Sequence, residues 1–315
     1  MSILPRRRPA SHSAGSHRTI AAGSASLLIG GILLAACTAA ATPGPSSGAT
    51  ASPGGGSVPH ATGAHDLVMR YEQTGGFVAP QFLVTRYPIV SVYGDGTTIT
   101  EGGVPAIYPG QALPNLQATK ITEAGIQKLL ARARGAGLLG ADASYDVTNV
   151  ADASTAEFTV VAGGTTHHVT AYALGMTQDN GLDPAVVAAR AKLQAFADAL
   201  GDPHKTVGAD AAADVPYDYD AMRIYVTSGA PVASDPSITR DPITWPLSTG
   251  LATFGGPGTG SMSSARCGVV TGADLDLLKP LFPAATQITP WKSGGKLYTL
   301  LLLPLLPDQT GCPKA

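Results

Sequence analysis

The sequence predicts an α+β protein, with antiparallel sheets built from hairpins and about three packed helices. Three observations carry that expectation. Glycine turns at Gly94-Asp95-Gly96 and Gly163-Gly164 each separate two runs rich in β-branched and aromatic residues, and glycine reaches positive φ without a steric cost. Two capped stretches with apolar residues at helical spacing, around Ile126 and Leu193, interrupt the strands without the regular alternation a parallel sheet requires. The run from Leu297 to Leu303 is apolar on both parities, the pattern of a central strand covered on both faces.

Taken in order, Leu67 to Tyr71 reads as a strand ending at Gly75-Gly76, and Phe82 to Arg86 as a second. Ile89 to Tyr93 and Thr97 to Thr100 form the first hairpin. An irregular Pro- and Gly-punctuated loop from Val104 to Pro114 leads to a strand at Leu116 to Ile121. Thr122 then caps a helix bearing Ile126, Leu129, Leu130 and Ala133, with Glu123 favourable in its first turn and Gly135 and Gly137 as its stop. The second hairpin runs from Glu157 to Val161 and from Thr165 to Leu174. Asp183 and Pro184 open a second helix with Val186, Val187, Leu193, Phe196 and Leu200 along one stripe. An alanine-rich connector follows, placing a boundary between an N-terminal domain (66–205) and a C-terminal part (206–315). The latter holds a strand at Met222 to Thr227, a mobile glycine-rich loop at Gly255 to Gly260, a strand at Cys267 to Val270, a short helix at Ala273 to Lys279 and the final strand. Ile121-Thr122-Glu123-Ala124 and Val270-Thr271-Gly272-Ala273 each precede a helix and a Gly-Gly turn, a short match that suggests two similar subdomains.

The first 36 residues have the parts of an export signal: Arg6, Arg7, Arg8 and Arg18, no acidic residue, and an apolar core at Leu27 to Ala36. Gly23, Ser24, Ser26, Gly30 and Gly31 dilute any longer run, whereas a spanning helix wants about twenty apolar residues. Pro9 disrupts a twin-arginine signal and leaves the general export route. Leu34-Ala35-Ala36-Cys37 then reads as a lipobox, with Cys37 as the diacylglycerol acceptor. Each buried methylene contributes about 0.8 kcal/mol, so two acyl chains hold durably where one holds marginally. Residues 38–64 carry no charged side chain and are mostly Ala, Gly, Pro, Ser and Thr; residues 37–65 are thus expected to be a lipidated cysteine and a flexible linker.

Of the 20 basic residues four lie in the leader, leaving sixteen against 22 acidic ones. A mildly acidic surface of this kind excludes the basic face that nucleic-acid binding needs. Cys267 and Cys312 remain as an even pair in a chain bound for an oxidising exterior, and a disulfide between them is expected. Neither has a neighbour at the Cys-x-x-Cys spacing of zinc or dithiol redox sites.

Outside the expected linker no Gly-x-Ser-x-Gly elbow, phosphate loop, His-Glu-x-x-His helix or complete calcium loop is present, so no catalytic residue, metal site or cofactor is assigned. His167 and His168 are adjacent on a strand and point to opposite faces, which prevents joint chelation. Tyr217-Asp218-Tyr219-Asp220 is the densest polar-aromatic cluster; it could offer carboxylates to a cation or rings to a sugar, or be a solvated entry to the strand at Met222. Trp245 and Trp291 are expected to anchor the core.

The lipobox, the turn Gly75-Gly76-Phe77-Val78-Ala79-Pro80, the segment Tyr93-Gly94-Asp95-Gly96 and the ending Leu303-Pro304-Leu305-Leu306-Pro307 before Cys312 together resemble uncharacterised surface lipoproteins of high-GC Gram-positive (actinobacterial) bacteria. The resemblance implies a surface location and no activity. The expectation is a membrane-anchored extracytoplasmic lipoprotein, a non-enzymatic module binding an envelope protein or polymer. The alternative is a secreted cell-wall hydrolase or other enzyme using loop carboxylates.

Overall fold

Strand β1 (Leu67–Gly75) is the axis of the first of two sheets in the computed structural model, which describes residues 56–176 and 181–313. A six-residue helix, α1 (Pro80–Thr85), connects it to β2 (Val90–Tyr93), and β3 (Thr97–Glu101) and β4 (Leu116–Lys120) continue the meander. Helix α2 (Glu123–Gly135) follows, then β5 (Ala143–Ser144) and the hairpin β6 (Ser154–Ala162) and β7 (Thr165–Tyr172). Helices α3 (Pro184–Leu200) and α4 (Pro203–Val207) lead to β8 (Val215–Pro216). The strand order is β5-β7-β6-β1-β2-β3-β4-β8, antiparallel except for the β5–β7 pair.

The second sheet takes β9 (Ala221–Ser228), β10 (Ile243–Thr244), β11 (Gly256–Pro257), β12 (Arg266–Thr271), β13 (Trp291–Ser293) and β14 (Lys296–Pro304), with helix α5 (Gly272–Leu278) between β12 and β13. Its order is β10-β13-β14-β9-β12-β11. The protein is α+β, with five α-helices and two mostly antiparallel sheets among the described residues. Each sheet ends on two-residue strands, which limits the unpaired edge offered to another chain.

The side-chain parities sort the core into layers. On one face of the first sheet Met69, Val90, Val92, Phe158 and Val160 meet Ile126, Leu129 and Leu130 of α2 and Leu193, Phe196 and Leu200 of α3. On its opposite face Tyr93, Ile99 and Leu116 pack against Tyr225, Cys267 and Leu303 of the second sheet. The far face of that sheet, with Met222, Ile224, Leu300 and Leu302, is covered by α5, Trp245, Phe282 and Trp291. The order is helices, sheet, sheet, then helix and loops. β14 lies inside its sheet with Leu302 and Leu303 buried on opposite faces, as the run Leu300 to Leu303, apolar on both parities, requires.

Capping follows the sequence closely. Thr122 accepts from Gly125 N at 3.2 Å, and Asp183 accepts from Ala185 N at 2.7 Å. In the β2–β3 turn Gly96 has φ +86°, and an added Cβ would sit 2.1 Å from Ile121 O. Gly96→Ala therefore combines a disfavoured backbone with a backbone clash; a loss of about 2 kcal/mol is expected in urea unfolding.

Four expectations change. Residues Phe82 to Thr85 lie in α1, not a strand, because Pro80 sets the first helical φ and Arg86 N closes the turn onto Phe82 O at 3.1 Å. The linker expected to run to residue 65 ends earlier. Val58 is buried, exchanges two hydrogen bonds with the Gln127 side chain at 2.8 and 3.0 Å, and Pro59 O accepts from Gly163 N. The connector expected after residue 205 stays with the first sheet through Pro216, held by backbone bonds such as Ala212 N to Lys120 O at 2.8 Å. Gly255 to Gly260 is no mobile loop: Gly256 and Pro257 pair with β12, and Gly255, at φ +63°, lies so close that a Cβ would be 2.0 Å from Cys267 O.

The two halves share the order strand, helix, hairpin, but only α2 of the two helices has a side-chain cap, Thr122; Thr271 makes none to α5. They differ in which hairpin strand lies beside the first strand: β6, the first of its pair, in one sheet and β14, the second of its pair, in the other.

Candidate binding surface

The residues singled out in the sequence fall into different roles. Tyr217 sits in the inter-sheet cluster and donates its hydroxyl to Leu305 O at 2.9 Å; burial, with Asp220, Asp308 and Asp218 adding to it, pushes that hydroxyl up to about 12. Tyr219 packs against the outer core with Lys279 Nζ 5.0 Å from its ring, and the same ammonium reaches Asp218 at 3.1 Å. Asp218 and Asp220 are exposed. This segment is the crossover from one sheet to the other, and both rings are engaged by the protein itself.

Cys267 and Cys312 are joined by a disulfide, Cα to Cα 6.0 Å. Cys37 lies outside the described residues. His167 contacts Gly140 O at 2.7 Å, while His168 turns to Glu157 at 3.5 Å on the other face. Trp245 and Trp291 are buried edge to face, their centroids 6.0 Å apart.

Hydrolytic chemistry needs a nucleophile activated by a base, or two carboxylates set apart in environment. Thr119, Asp214 and His204 form a chain in which the carboxylate stands in the middle and accepts from both neighbours, so the imidazole is not placed to take the Thr119 proton. Glu72 and Glu157 are directly opposite on β1 and β6. Burial pushes the Glu72 carboxyl up, Arg70 opposes this and Glu157 adds to it. Glu157 accepts from Thr74 Oγ1. Glu72 and Glu157 stand on strands, whereas Asp214 lies in the irregular segment before β8. Among the described residues no three His, Cys, Asp or Glu side chains gather as a metal site would require.

The surface feature that sequence reading missed lies where β1 ends. Gly75 and Gly76, at φ +63° and +85°, turn the chain outward, and Phe77 N donates to Asp152 O at 3.3 Å. Phe77 is then 88% exposed, Val78 37%, Phe82 55% and Leu83 45%. The crest is held from beneath. Val84, on the inward side of α1, packs into the inter-sheet cluster. Arg86 donates to Gln73 O at 2.9 Å and Gly75 O at 3.3 Å, and its guanidinium lies 5.6 Å from the Phe82 ring centroid. Beside the crest a small hollow is lined by Val84, Arg86, Tyr87, Arg223, Leu303 and Gln309. Four large apolar side chains within seven consecutive residues, fixed on a braced turn and left in water, are the mark of an interaction surface. In the sequence they carry the same signal as core residues, and only the outward turn at Gly75-Gly76 distinguishes them.

These features define a two-sheet α+β protein with an exposed apolar crest. No protein-family model matches the chain, and comparison with curated proteins and with solved structures gives no match.

Proposed function

We propose that the protein is a membrane-anchored extracytoplasmic lipoprotein whose body is a non-enzymatic binding module for an envelope component. The observation that carries this reading is Leu34-Ala35-Ala36-Cys37 directly after an apolar run preceded by four arginines. A diacylglycerol on Cys37 holds the body at the outer face of the membrane; the described residues contain no helix long and apolar enough to cross one. The pairing of Cys267 with Cys312 is in keeping with an oxidising compartment, and the crest supplies a surface for binding. The net negative body argues against nucleic acid as a partner. A hydrolase reading would rest on Glu72 and Glu157, facing carboxylates of which burial sets Glu72 apart.

The test is mass spectrometry of the native N-terminus with membrane fractionation. A diacylglyceryl-modified peptide beginning at Cys37 is expected, and Cys37→Ala should leave the chain uncut or move it out of the membrane fraction. An unmodified N-terminus elsewhere, with anchoring unchanged in Cys37→Ala, would overturn the reading.

A further inference from the structure

We propose that the hollow beside the crest is a phosphate-binding site, in which Arg86, Arg223 and the Gln309 carboxamide hold the oxygens of one phosphate group. The site does not depend on the lipid anchor.

Three separate pieces of the chain meet at the hollow. Arg86 enters at the end of α1, Arg223 from β9, where it stands opposite Leu303 of β14, and Gln309 from the C-terminal segment after Leu306. Val84, Leu303 and Pro304 supply apolar wall. The volume is about 40 Å³, room for about three water molecules. That suits the charged head of a ligand and is too small for a sugar ring or a nucleobase.

The polar groups here are unequal in what they have left to offer. Gly311 O already accepts from Arg223 Nε at 2.8 Å, Pro304 O from the Tyr87 hydroxyl at 2.7 Å, and Gln73 O and Gly75 O from Arg86 Nη1. Gln309 Oε1 accepts from Leu306 N at 3.3 Å, which assigns that atom as the oxygen and leaves the amide NH₂ to donate elsewhere. Among the described residues the groups without a partner are then donors: both Nη groups of Arg223, Arg86 Nη2 and Gln309 Nε2.

The charge has the same sense. Arg70, Lys120, Lys128 and Lys279 each have a carboxylate partner, whereas neither Arg86 nor Arg223 makes an ion pair among the described residues. Asp308, next to Gln309, is held by Arg70 and Tyr93. Burial raises the Tyr87 hydroxyl; of the charges acting on it that of Arg223 is the strongest and lowers it, ahead of the opposing Glu101. Two guanidiniums thus stand uncompensated on a body of net negative charge, beside apolar wall that weakens screening. Guanidinium forks match the oxygens of carboxylate and phosphate alike. Donors arriving from three elements select between them: a phosphate ester presents three outward oxygens and meets all three, while a planar carboxylate has two. A free phosphate ion and a phospholipid head group share this chemistry.

The test follows the side-chain Nε–Hε resonances of Arg86 and Arg223 in the purified full-length protein as ligand replaces sodium chloride at constant ionic strength. Saturating shifts of both are expected with inorganic phosphate and with glycerophosphoglycerol, the deacylated head group of a phospholipid. Tighter binding of the first assigns the site to the free ion, and of the second to a lipid head group. Acetate should bind about tenfold more weakly. Arg223→Gln should weaken phosphate binding by about tenfold or more, the loss of one charge-assisted hydrogen bond. Gln309→Glu keeps the acceptor for Leu306 N and adds a negative charge, so it should abolish binding; unchanged near-ultraviolet circular dichroism separates this from lost folding. Arg132→Gln, an exposed arginine of α2 on the far side of the first sheet, should change nothing. Shifts confined to one of the two arginines, no saturation, acetate bound as tightly as phosphate, full binding in Gln309→Glu, or an equal loss in Arg132→Gln overturns the proposal.

Discussion

Cys312→Ala is expected to lower the unfolding free energy by about 4 kcal/mol, because it releases a cross-link between residues 45 positions apart. Closing a loop of that length removes conformational freedom from the unfolded chain, and little of that constraint is replaced by other covalent links. The folded state loses something as well. After Leu306 the chain crosses back between the two sheets as a strap. Arg223 donates to Gly311 O at 2.8 Å and Thr259 to Pro313 O at 3.2 Å, contacts that the disulfide holds in register. Cys312 is half-buried and Cys267 buried, so Cys312→Ala removes the bond with the smaller packing change. Urea unfolding without reductant measures the effect; for a body of this size the thermal midpoint should fall by roughly 10 °C. Wild type in reductant should fall to the level of the variant, and the variant should be unmoved by reductant. A difference below about 1 kcal/mol would show that the strap is held by its noncovalent contacts alone.

How much of this could be read in advance depended on the range of the interactions. Thr122 and Asp183 announce their helices because a cap is a local event within four residues. The glycine pair at 163 and 164 and the two-parity run at Leu297 to Leu303 are equally local, and both sit where they were placed. Helix α1 was misread because Phe82, Leu83, Val84 and Thr85 have strand-like composition and no helical period. Their conformation is settled by Pro80, by Arg86 reaching back to Gln73 and Gly75, and by Val84 finding Met262 and Tyr87 in the inter-sheet cluster. Val58 to His65 looked like linker because one valine among small residues has no periodicity; backbone and side-chain bonds to α2, the β6–β7 turn and Pro307 hold it. The same reason hides the exposed apolar crest. An apolar residue in a sequence reports a preference for leaving water, and Phe77 meets that preference only if something covers it.

A long-range ion pair gives the second large expected effect. Arg70 of β1 donates to Asp308 Oδ1 at 2.8 Å, and the Tyr93 hydroxyl donates to the same oxygen at 2.7 Å, joining the first sheet to the strap across 238 and 215 residues. The Arg70 and Asp308 side chains are 13% and 21% exposed. Asp308→Ala leaves the guanidinium with the Ser91 and Tyr93 hydroxyls and Glu72 as its remaining counter-charge, an arrangement expected to cost about 2 kcal/mol in urea unfolding. Burial opposes ionisation of Asp308. The hydrogen bond and charge of Arg70, with the Tyr93 hydroxyl, outweigh it and hold the carboxyl below the usual range. The native protein therefore binds fewer protons than the unfolded chain between that depressed value and the unfolded value of about 3.9. The stabilisation is complete above about pH 4 and is lost as pH falls through the folded value. Glu72 works in the opposite sense: its raised carboxyl carries a penalty at neutral pH that acidification relieves, and the Asp308 charge adds to that rise. Subtracting the stability of Asp308→Asn from that of the parent at each pH, both carrying Glu72→Gln, isolates the pair. The difference should be flat from pH 7 to about 4.5 and shrink below about pH 4. A difference that stayed constant into acid would mean that Asp308 holds the strap by its shape and hydrogen bonds, with its charge contributing nothing.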